Sequence, residues 1–321
     1  MCCSSVGYAI AVMPGDLSEQ PHRYIEIDVS EWNLYGEEVL GTKPKRWLIR
    51  PDTQERLWLM KDATFNTLGD GSKYRKGDDW AERIAYGVAV ALGLPAARVE
   101  LCVDGRGHTA VFGTICRSVL GPAEDLVLGN ELLAEHGIHV TVDDRRSYTV
   151  AAIHRTLEDY PSPPGANGSS AWGVFVGYLV LDALIGNTDR HEENWAVIVS
   201  ESGRYLAPTF DHASSLGFLL SNAQRLERMS SKDHNYTPEA FADRARTKFR
   251  ARPHPIDAVV EARMLGGGDA TEHWLNQLPG IEDLVAPIWA IPEHRMSMLA
   301  RKFAERVMRR NWERLTGSNA R

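Results

Sequence analysis

Ile185-Gly186-Asn187-Thr188-Asp189-Arg190-His191-Glu192-Glu193-Asn194-Trp195, followed by Leu206-Ala207-Pro208-Thr209-Phe210-Asp211, is the stretch from which the rest of the chain can be read. It sets a carboxylate at Asp189, an amide five residues on at Asn194, and a second carboxylate seventeen residues further at Asp211. Each adjoins an apolar run able to hold it rigidly. Taken singly these residues have ordinary readings, since Asn-Thr-Asp after an apolar helix makes a cap and a turn, and an Asp after an aromatic residue can cap the next helix. The set, joined to residues upstream, asks for a chemical reading.

That chemistry is phosphoryl transfer. Its loose transition state leaves a protein to position a hydroxyl and to hold Mg²⁺ against the phosphate oxygens. One carboxylate orients the nucleophile and accepts its proton; an amide oxygen and a second carboxylate supply the hard oxygen ligands that Mg²⁺ prefers. Such a site also needs a lysine on the phosphates and a helix glutamate beside it. Residues 57–62, Leu-Trp-Leu-Met-Lys-Asp, read as a strand carrying Lys61. A helix over residues 80–92, capped near Asp78 or Asp79 and stopped at Gly93 and Pro95, carries Glu82. Between a strand over 24–29 and one over 46–50, the glycine- and lysine-bearing turn at 36–45 can lie over an anion, although such residues also fill plain hairpin loops.

Working outward, residues 1–22 read as a loosely attached arm. Residues 66–76 form a glycine-rich loop, and 99–103 and 109–116 make two strands joined at Asp104-Gly105-Arg106-Gly107. A lobe boundary falls near 117–121. Residues 122–160 carry only short apolar pieces between polar turns. After the Pro/Gly/Ser break at 160–170 comes an apolar helix from Ala171 to about Leu184, which delivers the Asp189 loop; 195–199 and 205–207 then form a hairpin around Gly203. Beyond Gly217 the chain is helical, with one helix over 238–252 and another over 292–315. The first carries Arg244, Arg246, Lys248, Arg250 and Arg252, read as a solvated or ion-paired face, with contact to an anionic substrate as the alternative.

Composition sets the bounds. A chain of 321 residues suits one two-lobed domain or two modest ones. The net charge of −7 and pI near 5.9 argue against a dedicated nucleic-acid binder. The longest apolar stretch, about 172–185, is interrupted by Gly173, Gly177 and Asp182, so no membrane span is expected. The start lacks the pattern of a secretory signal, and the four cysteines have no zinc-type spacing. A cytoplasmic setting is the expectation.

With Lys61, Glu82, Asp189, Asn194 and Asp211 in this order, the sequence resembles the HipA-like serine/threonine kinase family. The resemblance rests on residues 185–194, 207–211, Gly41-Thr42-Lys43-Pro44-Lys45, and Glu82 with the trailing Ala91-Leu92-Gly93-Leu94-Pro95. The catalytic-loop core is also similar to phosphatidylinositol 3/4-kinases. The resemblance implies an α+β, bilobal protein-kinase-like fold, with an arm over 1–22, a β-rich lobe over 23–118 and a mainly helical lobe over 119–321. It implies ATP and Mg²⁺ as cofactors, Asp189 as the catalytic base, and Asn194 and Asp211 as metal ligands. Lys61 would hold phosphates and Glu82 would hold Lys61, while Lys45, Gly41, Thr42 and Lys43 would face the nucleotide. His191 would brace the loop.

Family members regulated by autophosphorylation carry a serine just before the Gly-x-x-x-Lys turn; here Glu37, Glu38 and Val39 stand there and Thr42 is the nearby hydroxyl. The implied partners are a protein substrate and a cognate antitoxin-type inhibitor. Two neighbouring readings keep the fold, one a kinase for a small molecule or lipid headgroup and the other a nucleotide-binding pseudokinase. A hydrolase built from Asp189, His191, Asp211 and His212 would leave Lys61 and Glu82 unused.

Overall fold

The computed structural model describes residues 26–38, 45–52, 56–166 and 170–317. The expected arm at 1–22 and the turn residues 39–44 lie outside them. In chain order the elements are β1 Glu26–Asp28, β2 Asn33–Glu38, β3 Lys45–Ile49, β4 Leu57–Asp62, β5 Phe65–Thr67, β6 Lys73–Arg75, α1 Asp78–Ala91, β7 Val99–Asp104, β8 Val111–Arg117 and β9 Asp125–Leu128. There follow α2 Gly129–Glu135, α3 Val150–Leu157, α4 Ala171–Ile185, β10 Ala196–Ser200, β11 Gly203–Leu206, α5 Asn222–Ser230, α6 Pro238–Asp243, α7 Pro255–Ala262, α8 Gly268–Asn276, α9 Ile281–Ala290 and α10 Met298–Thr316.

The N-terminal part is a six-stranded sheet in the order β1-β7-β8-β4-β3-β2, antiparallel except for the β1/β7 pair. Alternation along β4 gives it two faces. Trp58 and Met60 point into a small core with Val29, Trp32, Leu48, Cys102 and Ile115. Leu57, Leu59 and Lys61 take the other face, where Leu101 joins the core that includes α1.

Three local expectations change here. Residues 33–38, whose last three were read as part of a loop, form the edge strand β2, with a register shift between Leu34 and Gly36. Its exposed Leu34 and Tyr35 give no inside-outside alternation to read. Residues 66–76, expected as a loop, contain most of the β5/β6 hairpin, whose Tyr74 hydroxyl donates to Leu219 O at 2.6 Å. The cap of α1 is Gly77; Asp78 and Asp79 occupy its first turn, where their charge suits the helix dipole, and Asp78 accepts from Thr64 Oγ1 at 2.6 Å.

The C-terminal part is built around α4, all fifteen residues of which are buried. A helix apolar on every side must be enclosed, and α1, α3, α7, α8 and α10 enclose it. No helix among the described residues is long and apolar enough to cross a membrane. Ser170 caps its start by accepting from Gly173 N, and it ends at Gly186 in the left-handed region, φ 63°. Buried Asn311 of α10 donates to Leu184 O at 3.1 Å, so the last helix fixes the end of α4. Because a Cβ is strained in that conformation, Gly186→Ala is expected to lower stability by about 1–2 kcal/mol in urea denaturation.

The expected helix over 238–252 breaks after Asp243. Residues 244–254 form a loop with Ala251 and Arg252 in the left-handed region. The loop closes where Thr247 N and Oγ1 donate to Pro253 O at 2.9 and 3.0 Å, and Phe249 packs on Tyr148 with ring centroids 5.0 Å apart. Burial of Phe249 outweighs the helical propensity of its neighbours. Likewise the helix expected from 292 begins only at Met298, capped by Ser297. Residue 122–160, left loose by the sequence, supplies β9, α2 and α3; β9 pairs with β10 to complete the three-stranded sheet β11-β10-β9.

Candidate active site

Register places two lysines together. Lys45 of β3 stands directly opposite Lys61 of β4, so both project from the same face of the sheet. Opposed like charges are unfavourable unless an anion lies between or beside them, and the chain supplies one: Lys61 Nζ is 3.0 Å from Asp211 Oδ1, although the two residues are 150 apart in sequence. Burial opposes the charge on Asp211, but Lys61, with Lys45 behind it, outweighs burial and holds the carboxyl well below its ordinary value. Burial also opposes the charge on Lys61; the Asp211 and Glu82 carboxylates prevail and keep it protonated far above its ordinary range. The nearby Cys116 thiol is pushed up to about 12 by burial and so stays neutral.

Asp211 reaches this position because its segment is stitched to the sheet side. Thr209 N donates to Pro95 O at 3.0 Å and Ala97 N to Thr209 O at 2.9 Å. Asp211 itself is left-handed, φ 59°, a conformation Asp tolerates better than most residues. Glu82 holds the next residue, accepting from His212 N at 3.0 Å. Its second oxygen, Oε2, is buried without a hydrogen-bond partner, and among the described residues it makes no contact with Lys61 within 4.0 Å; it acts on Lys61 through its field. Lys61 in turn lowers the Glu82 pKa against the opposing effect of burial.

The loop between α4 and β10 carries Asp189 and Asn194, and a buried network shapes it. Arg190, 1% exposed, donates through Nε and Nη2 to the two oxygens of Asp182 at 2.7 and 2.8 Å, and through Nη1 to Asn194 O at 2.8 Å. Asn187 adds a bond to Asp182 at 2.8 Å, and the Tyr148 hydroxyl donates to Arg190 O at 3.1 Å. Asn194 Nδ2 donates to Asp189 O at 2.7 Å, which turns its amide oxygen free for another partner. Asp189 N donates to Asn187 Oδ1 at 3.0 Å; its carboxylate accepts from Ser214 Oγ at 3.3 Å and lies 3.2 Å from Lys248 Nζ. The 186–194 loop thereby meets the segment after Asp211: Thr188 N donates to Ser214 O and Leu216 N to Ile185 O.

His191 Nδ1 accepts from Glu193 N at 3.2 Å, the bracing role expected of it. His212 is buried, with Nε2 against Thr209 Oγ1 at 2.8 Å and Nδ1 3.8 Å from Glu82. These commitments weigh against the four-residue hydrolase reading. The oxygen donors of Asp211 and Asn194 do fit Mg²⁺, which needs no imidazole. Gly41, Thr42 and Lys43 lie outside the described residues. Sequence reasoning gave no role to Asp182, Arg190, Glu192 or Ser214; Arg190 and Glu192 stood within the quoted stretch and Asp182 had been noted only as interrupting the helix, whereas Ser214 carried no local signal, and Lys248 had been placed in the basic set read as a solvated or ion-paired face with anion contact as the alternative.

One pH consequence follows from Asp211. A carboxyl whose folded pKa is depressed contributes stability above its unfolded value and loses that contribution as pH falls through the folded one. With an ordinary value of 3.8, the stability gap between wild type and Asp211→Asn is expected to be flat from about pH 8 to about pH 5 and to shrink below about pH 4. Urea denaturation at a series of pH values reads it; a gap that widens in acid contradicts the assignment.

Comparison with known proteins agrees with this architecture. A model described as the HipA-like C-terminal domain matches residues 37–266. The crystal structure of a Helicobacter pylori proinflammatory kinase, CtkA, is similar with a TM-score of 0.71 at 17% identity, covering 91% of this chain and 94% of that one. HipA of Shewanella oneidensis, solved with HipB and operator DNA as a toxin–antitoxin complex, is similar with a TM-score of 0.51 at 14% identity, covering 88% of this chain and 65% of that one. No curated protein matches the chain significantly in sequence. The domain match spans both the strands that carry Lys45 and Lys61 and the loop that carries Asp189, and the fold around them is that of the CtkA kinase: the chain belongs to the HipA-like C-terminal domain family and has its bilobal kinase fold.

Proposed function

We propose that this protein is an ATP- and Mg²⁺-dependent kinase that transfers the γ-phosphate to a serine or threonine hydroxyl of a protein. The observation that carries the reading is the Lys61–Asp211 pair at 3.0 Å, formed from opposite halves of the chain beside the loop that presents Asp189 and Asn194. In this reading Lys61 and Lys45 attract the polyphosphate, and the unshared oxygens of Asp211 and Asn194 hold the metal. Bound Mg²⁺ would supply neutralisation of phosphate charge. Asp189 orients the acceptor hydroxyl and takes its proton, while Arg190 and Asp182 keep the loop in place. Glu82 holds the backbone of His212 and so steadies Asp211. The 41–43 turn would face the nucleotide.

The test is transfer from γ-labelled ATP with Mg²⁺ to the protein itself and to a cytosolic lysate. Labelled protein bands that vanish with EDTA support the reading. Nucleotide binding without any labelled protein overturns the protein-acceptor assignment and favours a small-molecule acceptor, a lipid-headgroup acceptor or a pseudokinase.

A further inference from the structure

The loop that carries Asp189 has no cation to spare. Arg190 is buried and spent on Asp182 and Asn194 O, His191 accepts from its own loop, and the guanidinium of nearby Arg145 forks onto Glu192 at 2.7 and 2.9 Å. Lys61 and Lys45 stand on β4 and β3, where the reading above gives them to the nucleotide phosphates. Yet one ammonium does stand at the Asp189 carboxylate, that of Lys248 at 3.2 Å, delivered from the 244–254 loop 59 residues downstream.

This placement is built on both sides of Lys248. Thr247 is tied by two bonds to Pro253 O. Phe249 is buried on Tyr148, Arg250 N donates to Tyr148 O at 2.7 Å, and the Tyr148 hydroxyl reaches Arg190 O in the catalytic loop. The backbone carrying Lys248 is therefore fixed to the same scaffold as Asp189. The pair itself is about one-third exposed on each side, so it contributes little to stability. An ammonium has three N–H donors; with one facing Asp189, others remain for an anion at the same place.

We propose that Lys248 is a catalytic residue that binds the phosphoryl group in flight on the acceptor side of the site. The inference rests on the phosphotransfer reading above. The acceptor oxygen forms its bond to Pγ as the bond from Pγ to the β-γ bridging oxygen breaks; ADP leaves with that electron pair, and the hydroxyl proton passes to Asp189 and then to solvent. Lys248 remains protonated and breaks no bond. Charge spread over the equatorial oxygens in transit lies next to Asp189, and the ammonium meets it there, so its effect falls on turnover rather than on nucleotide affinity.

The experiment compares wild type, Lys248→Ala, Lys248→Arg and Asp189→Asn for steady-state transfer of labelled phosphate and for binding of ATP with Mg²⁺. Lys248→Ala is expected to lower kcat about 10²–10³-fold, with nucleotide KM and Kd within about twofold of wild type. Lys248→Arg, which keeps the charge, should recover at least about a tenth of wild-type kcat. An Ala variant within about threefold of wild-type kcat overturns the inference. So does a loss confined to nucleotide KM, or an Arg variant as inactive as the Ala variant. A wild-type protein that binds nucleotide but transfers nothing to any acceptor overturns the phosphotransfer reading and this one together, which separates the two failures.

Discussion

Asp189→Asn is expected to lower phosphate transfer by about 10²–10⁴-fold in kcat, the range for loss of a general base, while leaving nucleotide binding within about threefold of wild type. The substitution is nearly isosteric. The backbone N–H of residue 189 still reaches Asn187 Oδ1, and the Ser214 hydroxyl still has an oxygen to donate to. The Arg190–Asp182 network beneath the loop is untouched. What disappears is the carboxylate charge that would accept the hydroxyl proton and that faces Lys248. Affinity for nucleotide survives because the Lys61–Asp211 pair lies on other elements, β4 and the segment after β11. Side-by-side rapid-quench transfer and nucleotide titration read the two effects separately, and turnover equal to wild type would remove Asp189 from the mechanism.

Arg295→Ala is expected to be the most destabilising single change, by about 3–5 kcal/mol, the usual consequence of removing one partner from buried ion pairs. Arg295 comes from the turn before α10 and is wholly buried. Its guanidinium donates to Glu26 Oε1 at 2.6 Å, to Cys102 O at 3.1 Å and to Gly113 O at 2.6 Å, lies 3.1 Å from Asp79, and stacks 4.9 Å from the Phe112 ring. One side chain from the C-terminal part therefore ties β1, β7, β8 and α1 together. Burial already raises the pKa of Asp79 despite Arg75 and Arg295; without Arg295 its buried carboxylate would keep only the Arg75 guanidinium as an ion-pair partner. Denaturant unfolding followed by tryptophan fluorescence measures the loss, and a decrease under about 1 kcal/mol would show that these bonds are replaced by solvent.

The sequence was legible where a signal is local. Residues 57–62, 99–103 and 109–116 alternate or run apolar between turns and became β4, β7 and β8. Ser170 and Gly186 frame α4 with capping chemistry that acts over a few residues, and the Gly93–Pro95 stop of α1 is of the same kind. The order of Lys61, Glu82, Asp189, Asn194 and Asp211 also sufficed for the resemblance that the family match bears out.

The same reasoning failed wherever long-range packing overrode it. β2 is an exposed edge strand with a register shift between Leu34 and Gly36, defined by its hydrogen bonds to β3 rather than by its residues. β9 exists because β10, some 70 residues later, pairs with it. The 238–252 helix stops at Asp243 because Phe249 gains burial against Tyr148. By itself, then, the sequence determined the main strands and the central helix and the order of the acidic and amide groups, since each depends on periodicity, caps and spacing along the chain, and its motifs carried the resemblance to the family. Only the tertiary structure decided that Lys61 pairs with Asp211, that Glu82 holds His212, that Arg295 crosses to the sheet and that Lys248 faces Asp189. Those are electrostatic contacts between residues dozens to hundreds of positions apart, and charge acts over distance in space, which a linear pattern does not record.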